Sequence, residues 1–374
     1  MLLVVTPYYP SQENAIEGFF IKQQIELIKD GFDKLVVFRY RSLQFNLKNK
    51  FPKLSYFENG IKVINLFYID NNYISRMFGN RMKAIKVQMI LNYYLRCLFT
   101  LRFDVVLSQW VLPSTYIFDF LSKEKKIISV IRGMDITILM KQFPEYFVKA
   151  IKRSNTLITN GTYAIKIIQE IDKNVIIENV YNPKNLKPFL SVDLVKKDFH
   201  KSEFIFTCVG RFDTNKRQDL LLHLVKRLKA ENIKVVLYLI GSGKEKEIIV
   251  KTSKDLGINE DIVLKSDLTH FEIAEIYSKT DIYFQPSMRE GVPNALAEAM
   301  ATGCCCIARN TGGIPDLIEH KKTGFLYEKD NHLYDLVKKV LKKDTENIQK
   351  EARKKVIRIF NNKSNINKIL NHLK

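Results

Sequence analysis

The sequence of 374 residues is poor in several features that define common protein classes. It has five cysteines, three of them consecutive at 304–306, and this is no disulfide framework. Adjacent residues of a strand point to opposite faces, so three in a row cannot converge on one metal ion. We therefore interpret Cys304, Cys305 and Cys306 as small core residues of a protein from a reducing compartment.

Long hydrophobic runs are also missing, since no apolar stretch is long enough to span a bilayer. The N-terminus leads directly into a predicted strand, Leu2–Thr6, without a basic leader or a cleavage site. These two observations predict a cytoplasmic protein that is at most peripheral on the inner face of the cell membrane.

Acidic residues are fewer than basic ones, with 40 Asp and Glu against 60 Lys and Arg, which gives a net charge of +20. A field of that sign favours anionic partners: nucleic acid, an anionic membrane surface or phosphorylated small molecules. A Lys-rich composition without a partner is the alternative. Because lysine is spread along the chain and no recognition motif is present, we expect no nucleic acid. A basic nucleic-acid-binding protein remains the alternative from another class.

The usual phosphate-binding motifs are absent too. The sequence contains no G-x-x-x-x-G-K-[ST] loop and no Asp-x-Asp clamp for a metal-bound diphosphate. Gly241-Ser242-Gly243 lacks the third glycine of the dinucleotide fingerprint, so we predict a tight turn there. We expect neither a cofactor nor a metal, so cationic side chains and helix amides would have to stabilise a departing diphosphate.

Both halves of the chain contain short apolar runs rich in Val, Ile and Phe, separated by longer mixed stretches. The predicted strands are Leu2–Thr6, Lys34–Tyr40, Ile61–Asn65, Val105–Ser108, Ile127–Ile131, Thr156–Thr159, Phe204–Val209, Val235–Ile240, Ile262–Leu264, Ile282–Gln285 and Cys305–Ala308. Unbroken apolar runs are typical of parallel strands buried on both faces.

The pattern therefore predicts an α/β protein with two doubly wound domains. We place the first domain at 1–185 and the second at 186–345, with C-terminal helices at 346–374 that pack back on the first domain. Ligands of such domains bind at the carboxyl ends of the strands, so a cleft between the domains is the default site.

A basic turn follows the first predicted strand of the second half. Gly210 lets the backbone approach a ligand closely, and Arg211 and Lys216 flank the turn where a diphosphate would lie. Arginine offers phosphate a planar fork and lysine a mobile point charge. A solvated basic loop is the alternative, which suits Arg217 better than Arg211.

Two carboxylates eight residues apart accompany a predicted helix start. Glu290 precedes it, Pro293 is expected as the first helical residue, and Glu298 lies further along. The backbone amides of Asn294 and Ala295 would then point out of the helix end, towards a phosphate. Two glutamates at this spacing also occur by chance, and a surface helix would explain Glu298 alone.

Taken in order, these segments resemble the large retaining glycosyltransferase family 4 (glycosyl transferases group 1). The resemblance covers essentially the whole chain and is strongest from 205 to 327. The motifs that carry it are Tyr9-Pro10 with Gly18-Phe19-Phe20, Gly210-Arg211 with Lys216, Glu290 to Glu298, Glu298-Ala299-Met300-Ala301-x-Gly303, Gly312-Gly313-Ile314-Pro315-Asp316 and Thr323-Gly324-Phe325-Leu326.

The resemblance implies a GT-B fold, in which two Rossmann-like domains face a central cleft. It also implies a retaining transferase that moves a hexosyl or N-acetylhexosaminyl group from a nucleotide sugar, with UDP-sugar favoured, to a hydroxyl group. The acceptor would be a lipid-linked or cell-surface saccharide. A GT-B-type sugar-nucleotide epimerase is the alternative enzyme.

The resemblance also implies site residues. Arg211 and Lys216 would hold the donor diphosphate, Glu290 the donor sugar and Glu298 the ribose diol. The catalytic set would be Glu290, Arg211, Lys216 and Arg132. The other implied donor contacts are Gly18, Gly210, Leu264, Lys265, Gly291, Val292, Pro293, Asn294 and Ala295.

The sequence departs from the family at one motif. Arg132-Gly133-Met134-Asp135 stands where many members have His-Gly-x-Asp. Arginine cannot act as a base at neutral pH, but it can bind a phosphate or a sugar hydroxyl. The family is thought to use a front-face route in which the leaving phosphate helps to deprotonate the acceptor, so the departure does not exclude catalysis.

Residues 73–102 are rich in aromatic and aliphatic side chains interleaved with arginine and lysine. A basic amphipathic region of this kind suits the interface of an anionic membrane. A core-packing helix with a solvated basic face would show the same sequence pattern. We therefore keep an anionic membrane surface as an expected partner beside the nucleotide sugar and the saccharide.

Overall fold

The computed structural model describes residues 1–10, 18–43, 53–69, 103–115, 118, 125–133, 135–193 and 202–374. The chain divides into two compact units, one of residues 1–184 with 361–374 and the other of residues 185–360. The C-terminal segment 346–374, expected to pack back on the first domain, is divided: residues 361–374 belong to the first unit and residues 346–360 to the second.

The first unit is built on an eight-stranded sheet with the order β3-β4-β2-β1-β5-β6-β7-β8. Every neighbouring pair is parallel except β3 and β4, which are antiparallel. The strands are β1 Leu2–Thr6, β2 Leu35–Leu43, β3 Ser55–Glu58, β4 Ile61–Ile69, β5 Val105–Gln109, β6 Lys126–Ile131, β7 Thr156–Thr159 and β8 Ile177–Asn179.

The second unit is built on a six-stranded sheet with the order β11-β10-β9-β12-β13-β14, in which all pairs are parallel. The strands are β9 Glu203–Val209, β10 Lys234–Ile240, β11 Ile262–Lys265, β12 Ile282–Gln285, β13 Cys305–Arg309 and β14 Phe325–Tyr327. In both sheets the first strand lies inside, so the chain winds to one side and then to the other.

All eleven predicted strands are present, with ends that move by four residues at most. Sequence reasoning missed β3, β8 and β14, which have three or four residues each. All three lie at a sheet edge. An edge strand needs no unbroken apolar run, and the pattern of alternating exposure in β3 fits that position.

Helices cover the faces of both sheets. The longer ones are α1 Phe19–Ile28, α2 Pro144–Arg153, α3 Tyr163–Ile171, α4 Gln218–Ala230, α5 Lys246–Asp255, α6 His270–Lys279, α7 Asn294–Thr302, α8 Asn331–Val340, α9 Glu346–Ile359 and α10 Asn362–Leu373. Short helical segments are Lys29–Gly31, Val111–Thr115, Asp135–Leu139, Met140–Gln142, Lys187–Leu190, Asn259–Asp261 and Ile314–Leu317.

The core of each unit lies between its sheet and these helices. In the first unit, α10 contributes Ile366, Ile369 and Leu373 to the core cluster that also holds β1 and α1. In the second unit, helices α4 and α8 pack on a core that contains Cys305. Cys304, Cys305 and Cys306 are all buried with free thiols, which confirms their interpretation as core residues.

Candidate functional site

The strand order of the second sheet creates a topological switch point between β9 and β12, at the centre of the carboxyl edge of the sheet. The chain leaves β9 towards β10 and leaves β12 towards β13, in opposite directions. Loops diverge at such a switch point and open a crevice, which is where ligands of doubly wound sheets bind. The loop 210–217 follows β9, and the loop 286–293 follows β12.

A lysine and a glutamate meet across this point. The Lys216 Nζ atom donates a hydrogen bond to Glu290 Oε1 at 2.6 Å, and the two side chains are only 21% and 12% exposed. Opposite charges are held together more firmly here than on an open surface, because little water screens them. Two residues that the sequence singled out 74 positions apart are thus in direct contact.

Glu290 is held by a buried polar chain that sequence reasoning missed. Gln285 Nε2 donates to Glu290 Oε1 at 3.0 Å, and Tyr283 OH donates to Gln285 Oε1 at 2.7 Å. Burial raises the pKa of Tyr283 well above its usual value, and Glu298 and Glu290 contribute in the same direction, so its hydroxyl stays protonated. A polar residue ending an apolar predicted strand was the signal that could have found Gln285.

Cys208 lies next to the ion pair. Burial raises the pKa of its thiol to about 12, while the positive charge of Lys216 lowers it and the negative charge of Glu290 raises it. The thiol therefore remains neutral at physiological pH and acts as a small apolar neighbour of the pair.

Two glycines fix the backbone on the far side of Glu290. Gly312 has φ +53°, and a Cβ atom there would lie 1.9 Å from the Glu290 carbonyl oxygen. A Cβ on Gly313 would lie 2.4 Å from the Gly291 oxygen, and Gly313 N donates to Glu290 O at 3.2 Å. Only glycine permits this close approach of two backbone segments, so the Gly312-Gly313 motif has a structural role in placing Glu290.

The loops after β9 and β12 are also tied to each other. Asn215 O accepts from Met288 N at 2.8 Å, and Asn215 Nδ2 donates to Arg289 O at 3.0 Å. The predicted tight turn at 241–243 packs beneath them: a Cβ on Gly241 would lie 2.1 Å from Gly210 O. Backbone contacts therefore hold together the loops that carry Lys216 and Glu290, and these contacts restrict the positions of the two side chains.

Helix α7 starts beside the ion pair, but one residue later than expected. Pro293 has extended backbone, with ψ 128°, and precedes the helix, whose first residue is Asn294. The prediction that Pro293 begins the helix was wrong, since proline fixes φ but leaves ψ free to be extended. The first amides of α7 still lie at its N-terminal end, where the helix dipole favours an anion.

The remaining predicted donor residues of the second unit have different surroundings. Glu298 is half-buried and acts on the pKa of both Tyr277 and Tyr283, which places it near them. Lys265 ends β11, and its carbonyl accepts from Gly241 N at 2.8 Å. Leu264 is partly buried against the core, Val292 is buried and Gly291 is exposed.

The side chain of Arg211 is far more exposed to solvent than that of Lys216. Its side chain is 78% exposed and its Nε donates to Asp213 Oδ2 at 3.0 Å. A surface ion pair of this kind contributes little to stability. Arg211 is therefore a solvent-exposed cation close to the turn, whereas Lys216 is half-buried in its ion pair with Glu290.

Gly18 and Arg132 belong to the first unit. Gly18 precedes α1 with φ +72°, and a Cβ there would lie 2.7 Å from the Tyr8 carbonyl, so its own unit already requires a glycine. Arg132 follows β6 and is buried; its Nη1 donates to Asn182 Oδ1 at 2.7 Å and its Nη2 donates to Gln109 Oε1. Burial lowers the pKa of Arg132 to about 10, so the guanidinium remains charged at neutral pH.

Two features are absent from the part of the chain that the structure describes: a cluster of metal-binding side chains and a membrane-spanning helix. No three His, Cys, Asp or Glu side chains come together there in a metal-binding arrangement. No helix there has the length and apolar character to cross a bilayer. The basic region 73–102 lies outside the described residues, as does Met134.

Sequence comparison finds known relatives. The family model of glycosyl transferases group 1 matches residues 193–357. N-acetyl-alpha-D-glucosaminyl L-malate synthase of Bacillus anthracis is 30% identical over 213 residues, which cover 54% of this chain and 54% of that protein. UDP-Gal:alpha-D-GlcNAc-diphosphoundecaprenol alpha-1,3-galactosyltransferase of Escherichia coli is 27% identical over 175 residues, 45% of each chain. The matches thus span about half the length of these curated relatives.

A solved structure matches over the whole length. The apo form of the lipopolysaccharide outer core galactosyltransferase WaaB superposes with a TM-score of 0.74 at 18% identity, covering 100% of this chain and 99% of that one. At this identity the likeness concerns the fold, and it agrees with two α/β units that each carry a largely parallel sheet. Residues 193–357 are thus similar to the glycosyl transferases group 1 family, and the chain has the GT-B fold.

Proposed function

We propose that this protein is a retaining glycosyltransferase that moves a hexosyl or N-acetylhexosaminyl group from a nucleotide sugar to a hydroxyl of a saccharide acceptor. UDP-sugar is the favoured donor, and a lipid-linked or cell-surface saccharide is the favoured acceptor. The relatives support both choices by class, since one is named for UDP-Gal and a diphosphoundecaprenol acceptor and another for transfer of N-acetylglucosamine.

The Lys216–Glu290 pair carries the proposal. It lies at the switch point between β9 and β12, beside the N-terminal end of α7. An ammonium group has three N–H donors, and the pair with Glu290 uses one of them. Lys216 can therefore keep its contact with Glu290 and still donate to a phosphate, while Glu290 accepts from a sugar hydroxyl.

The proposed reaction follows from these contacts. The bond between the anomeric carbon and the diphosphate oxygen breaks, and negative charge develops on the diphosphate. Lys216, Arg211 and the α7 amides stabilise that charge without a metal ion. The acceptor oxygen forms its bond on the face that the diphosphate leaves, and its proton passes to the departing phosphate oxygen. Glu298 would accept from the ribose diol, with Leu264 and Lys265 near the base.

A thermal-shift panel tests donor binding, because a ligand that binds only the native state raises the melting temperature. The panel contains UDP, GDP and their sugars, each with the wild-type protein and with Lys216→Ala. We expect UDP to stabilise the wild type and to have little effect on the variant. Equal shifts in both proteins would contradict the role of Lys216, and no shift with any nucleotide would contradict the proposed function.

Transfer itself needs a second measurement. The bound donor from the panel is incubated with lipid-linked saccharides, and the anomeric configuration of the product is determined by NMR. We expect the donor's configuration to be retained and the rate to persist in EDTA. An inverted product would contradict the retaining route, and conversion of the donor sugar without an acceptor would identify an epimerase instead.

A further inference from the structure

The first unit contains a second polar centre, at the switch point of its own sheet. The strands β1 and β5 are neighbours, and the chain leaves them in opposite directions. Tyr8 follows β1, Trp110 follows β5 and Arg132 follows β6. Trp110 has φ +76°, a conformation that costs a bulky residue free energy and that persists mainly at functional sites.

Arg132 forms the centre of this group. Its guanidinium carbon lies 4.8 Å from the ring centre of Phe20 and 5.7 Å from that of Trp110. Tyr8 packs edge-on against Trp110 at 5.1 Å and is 37% exposed, so it forms the rim. A buried cation is thus held between aromatic rings beside an aromatic face that water can reach.

The charge of Arg132 has no direct counter-ion among the described residues. Its two hydrogen-bonded nitrogens contact the neutral side-chain amides of Asn182 and Gln109, and its Nε is buried without a hydrogen-bond partner. A guanidinium has five N–H donors, and these two hydrogen bonds use two of them. An unpaired buried charge is costly to maintain, and an anion would compensate it.

Asp135 is the acidic group that acts on Arg132, yet it does not pair with the guanidinium. Its carboxyl accepts from the backbone nitrogens of Arg132 at 2.8 Å, and of Val111 and Leu112 at 3.3 Å. Burial raises the pKa of Asp135 to about 7, against the opposing effect of these donors and of Arg132. At neutral pH the carboxyl is therefore only partly ionised, and the centre keeps a net positive charge.

We propose that Arg132 binds an anionic group, a carboxylate or a phosphate ester, on the saccharide that the first unit takes. The planar fork of arginine fits both groups, and the rim at Tyr8 provides a face for a sugar ring. The inference rests on the proposed function for the saccharide nature of the ligand. Arg132 would then select acidic over neutral sugars.

The chain has one tryptophan, and it is Trp110. Its fluorescence in the full-length protein therefore reports on this centre alone. We would titrate glucuronic acid, glucose 1-phosphate and glucose as the carboxylate, phosphate and neutral probes. At least one acidic probe should change the fluorescence with an affinity about tenfold or more above that of glucose. Which acidic probe responds identifies the source of the negative charge.

Arg132→Gln should weaken binding of the acidic probe by about 10- to 100-fold, the usual loss for a charged hydrogen bond, while the response to glucose stays the same. Arg132→Lys keeps the charge without the fork, so it should bind the acidic probe more weakly than the wild type and still prefer it to glucose. Circular dichroism shows which variants fold. If Arg132→Gln does not fold, the binding measured with Arg132→Lys tests the proposal.

Lys216→Ala is the matched control in the second unit. It should lose UDP binding and keep the Trp110 response. A wild-type protein that treats glucose and both acids alike, or an Arg132 variant that binds acids as the wild type does, would overturn the inference. Failure of the proposed function looks different: UDP would not raise the melting temperature, while the Trp110 titrations would remain informative.

Discussion

At the switch point between β9 and β12 a half-buried lysine meets a carboxylate, whereas close to the switch point between β1 and β5 a buried arginine meets amides and aromatic rings. Both cations lie at the carboxyl edge of a doubly wound sheet. The first is neutralised before any ligand arrives, and the second is not. Under the two proposals, the carboxyl edges of two similar sheets would therefore provide two different kinds of anion site.

The difference has a physical consequence. The charge of Lys216 is held by Glu290, so a diphosphate would share the lysine with a carboxylate that also orients it. Among the described residues, the guanidinium of Arg132 makes direct contact only with amides and rings, so an anion would remove an electrostatic penalty on binding. We expect substitutions in the second unit to act through geometry and pairing, and those in the first unit to act through charge.

The largest effect should come from Lys216→Ala, which removes the fixed cation from the proposed diphosphate site. Loss of one preorganised group that stabilises developing charge typically costs 10²–10³ in rate, so we expect the initial rate of sugar transfer to fall about 100-fold or more. Lys216→Arg keeps a cation and should lose less. A rate for Lys216→Ala within threefold of the wild type would contradict the site.

The next effect should come from Gly312→Ala, which places a Cβ 1.9 Å from the Glu290 carbonyl oxygen at a residue with φ +53°. The loop must shift, so we expect transfer to fall about tenfold and stability by roughly 1–3 kcal/mol. Gly257→Ala is the matched control, because Gly257 also has a positive φ, +67°, and nothing lies within 4 Å of its added Cβ. Equal effects at both positions, in rate assays and urea unfolding, would contradict the supporting role of Gly312.

A smaller effect should follow when the ion pair is unbalanced. Lys216→Met or Glu290→Gln alone leaves a mostly buried charge without its partner, at a cost of about 1–3 kcal/mol in unfolding free energy. The double variant removes both charges and should be more stable than the sum of the single effects predicts. Chemical denaturation of the wild type, the two single variants and the double variant gives the coupling free energy between Lys216 and Glu290. If the single effects add strictly, the ion pair contributes nothing to the free energy of unfolding.

The last effect is a pH dependence of stability in the first unit. The Asp135 pKa is raised from 3.8 to about 7 on folding, so the folded state binds more protons between these values and loses stability as pH rises through that window. Asp135→Asn does not titrate, so the wild type should lose stability relative to it from about pH 4 to about pH 7.

Asp104→Asn is the control for that measurement. The N-terminal ammonium group lowers the Asp104 pKa, so this carboxyl is ionised in both states from about pH 5 to about pH 7. The wild type and this variant should therefore keep a constant difference in that range. The Asp135 assignment is contradicted if the wild type and Asp135→Asn show parallel pH profiles.

Much of the fold was predictable from the sequence because parallel strands that are buried on both faces consist of unbroken apolar runs. The run Leu2–Thr6 was found with its observed ends, as were Thr156–Thr159 and Ile282–Gln285. The edge strand Ser55–Glu58 was missed, because an edge lacks the second neighbour and the burial that produce such a run. The start of α7 was misplaced by one residue, since the backbone of Pro293 is decided by the loop that it ends.

The sequence by itself determined the two α/β halves and the residue types of the proposed donor site. Periodicity and the order of motifs depend on local chemistry, and they are visible in one dimension. Only the tertiary structure decided which side chains meet: Lys216 with Glu290, Gln285 with Glu290, and Arg132 with aromatic rings. Such contacts depend on the order in which strands lie beside each other, and no local pattern encodes that order.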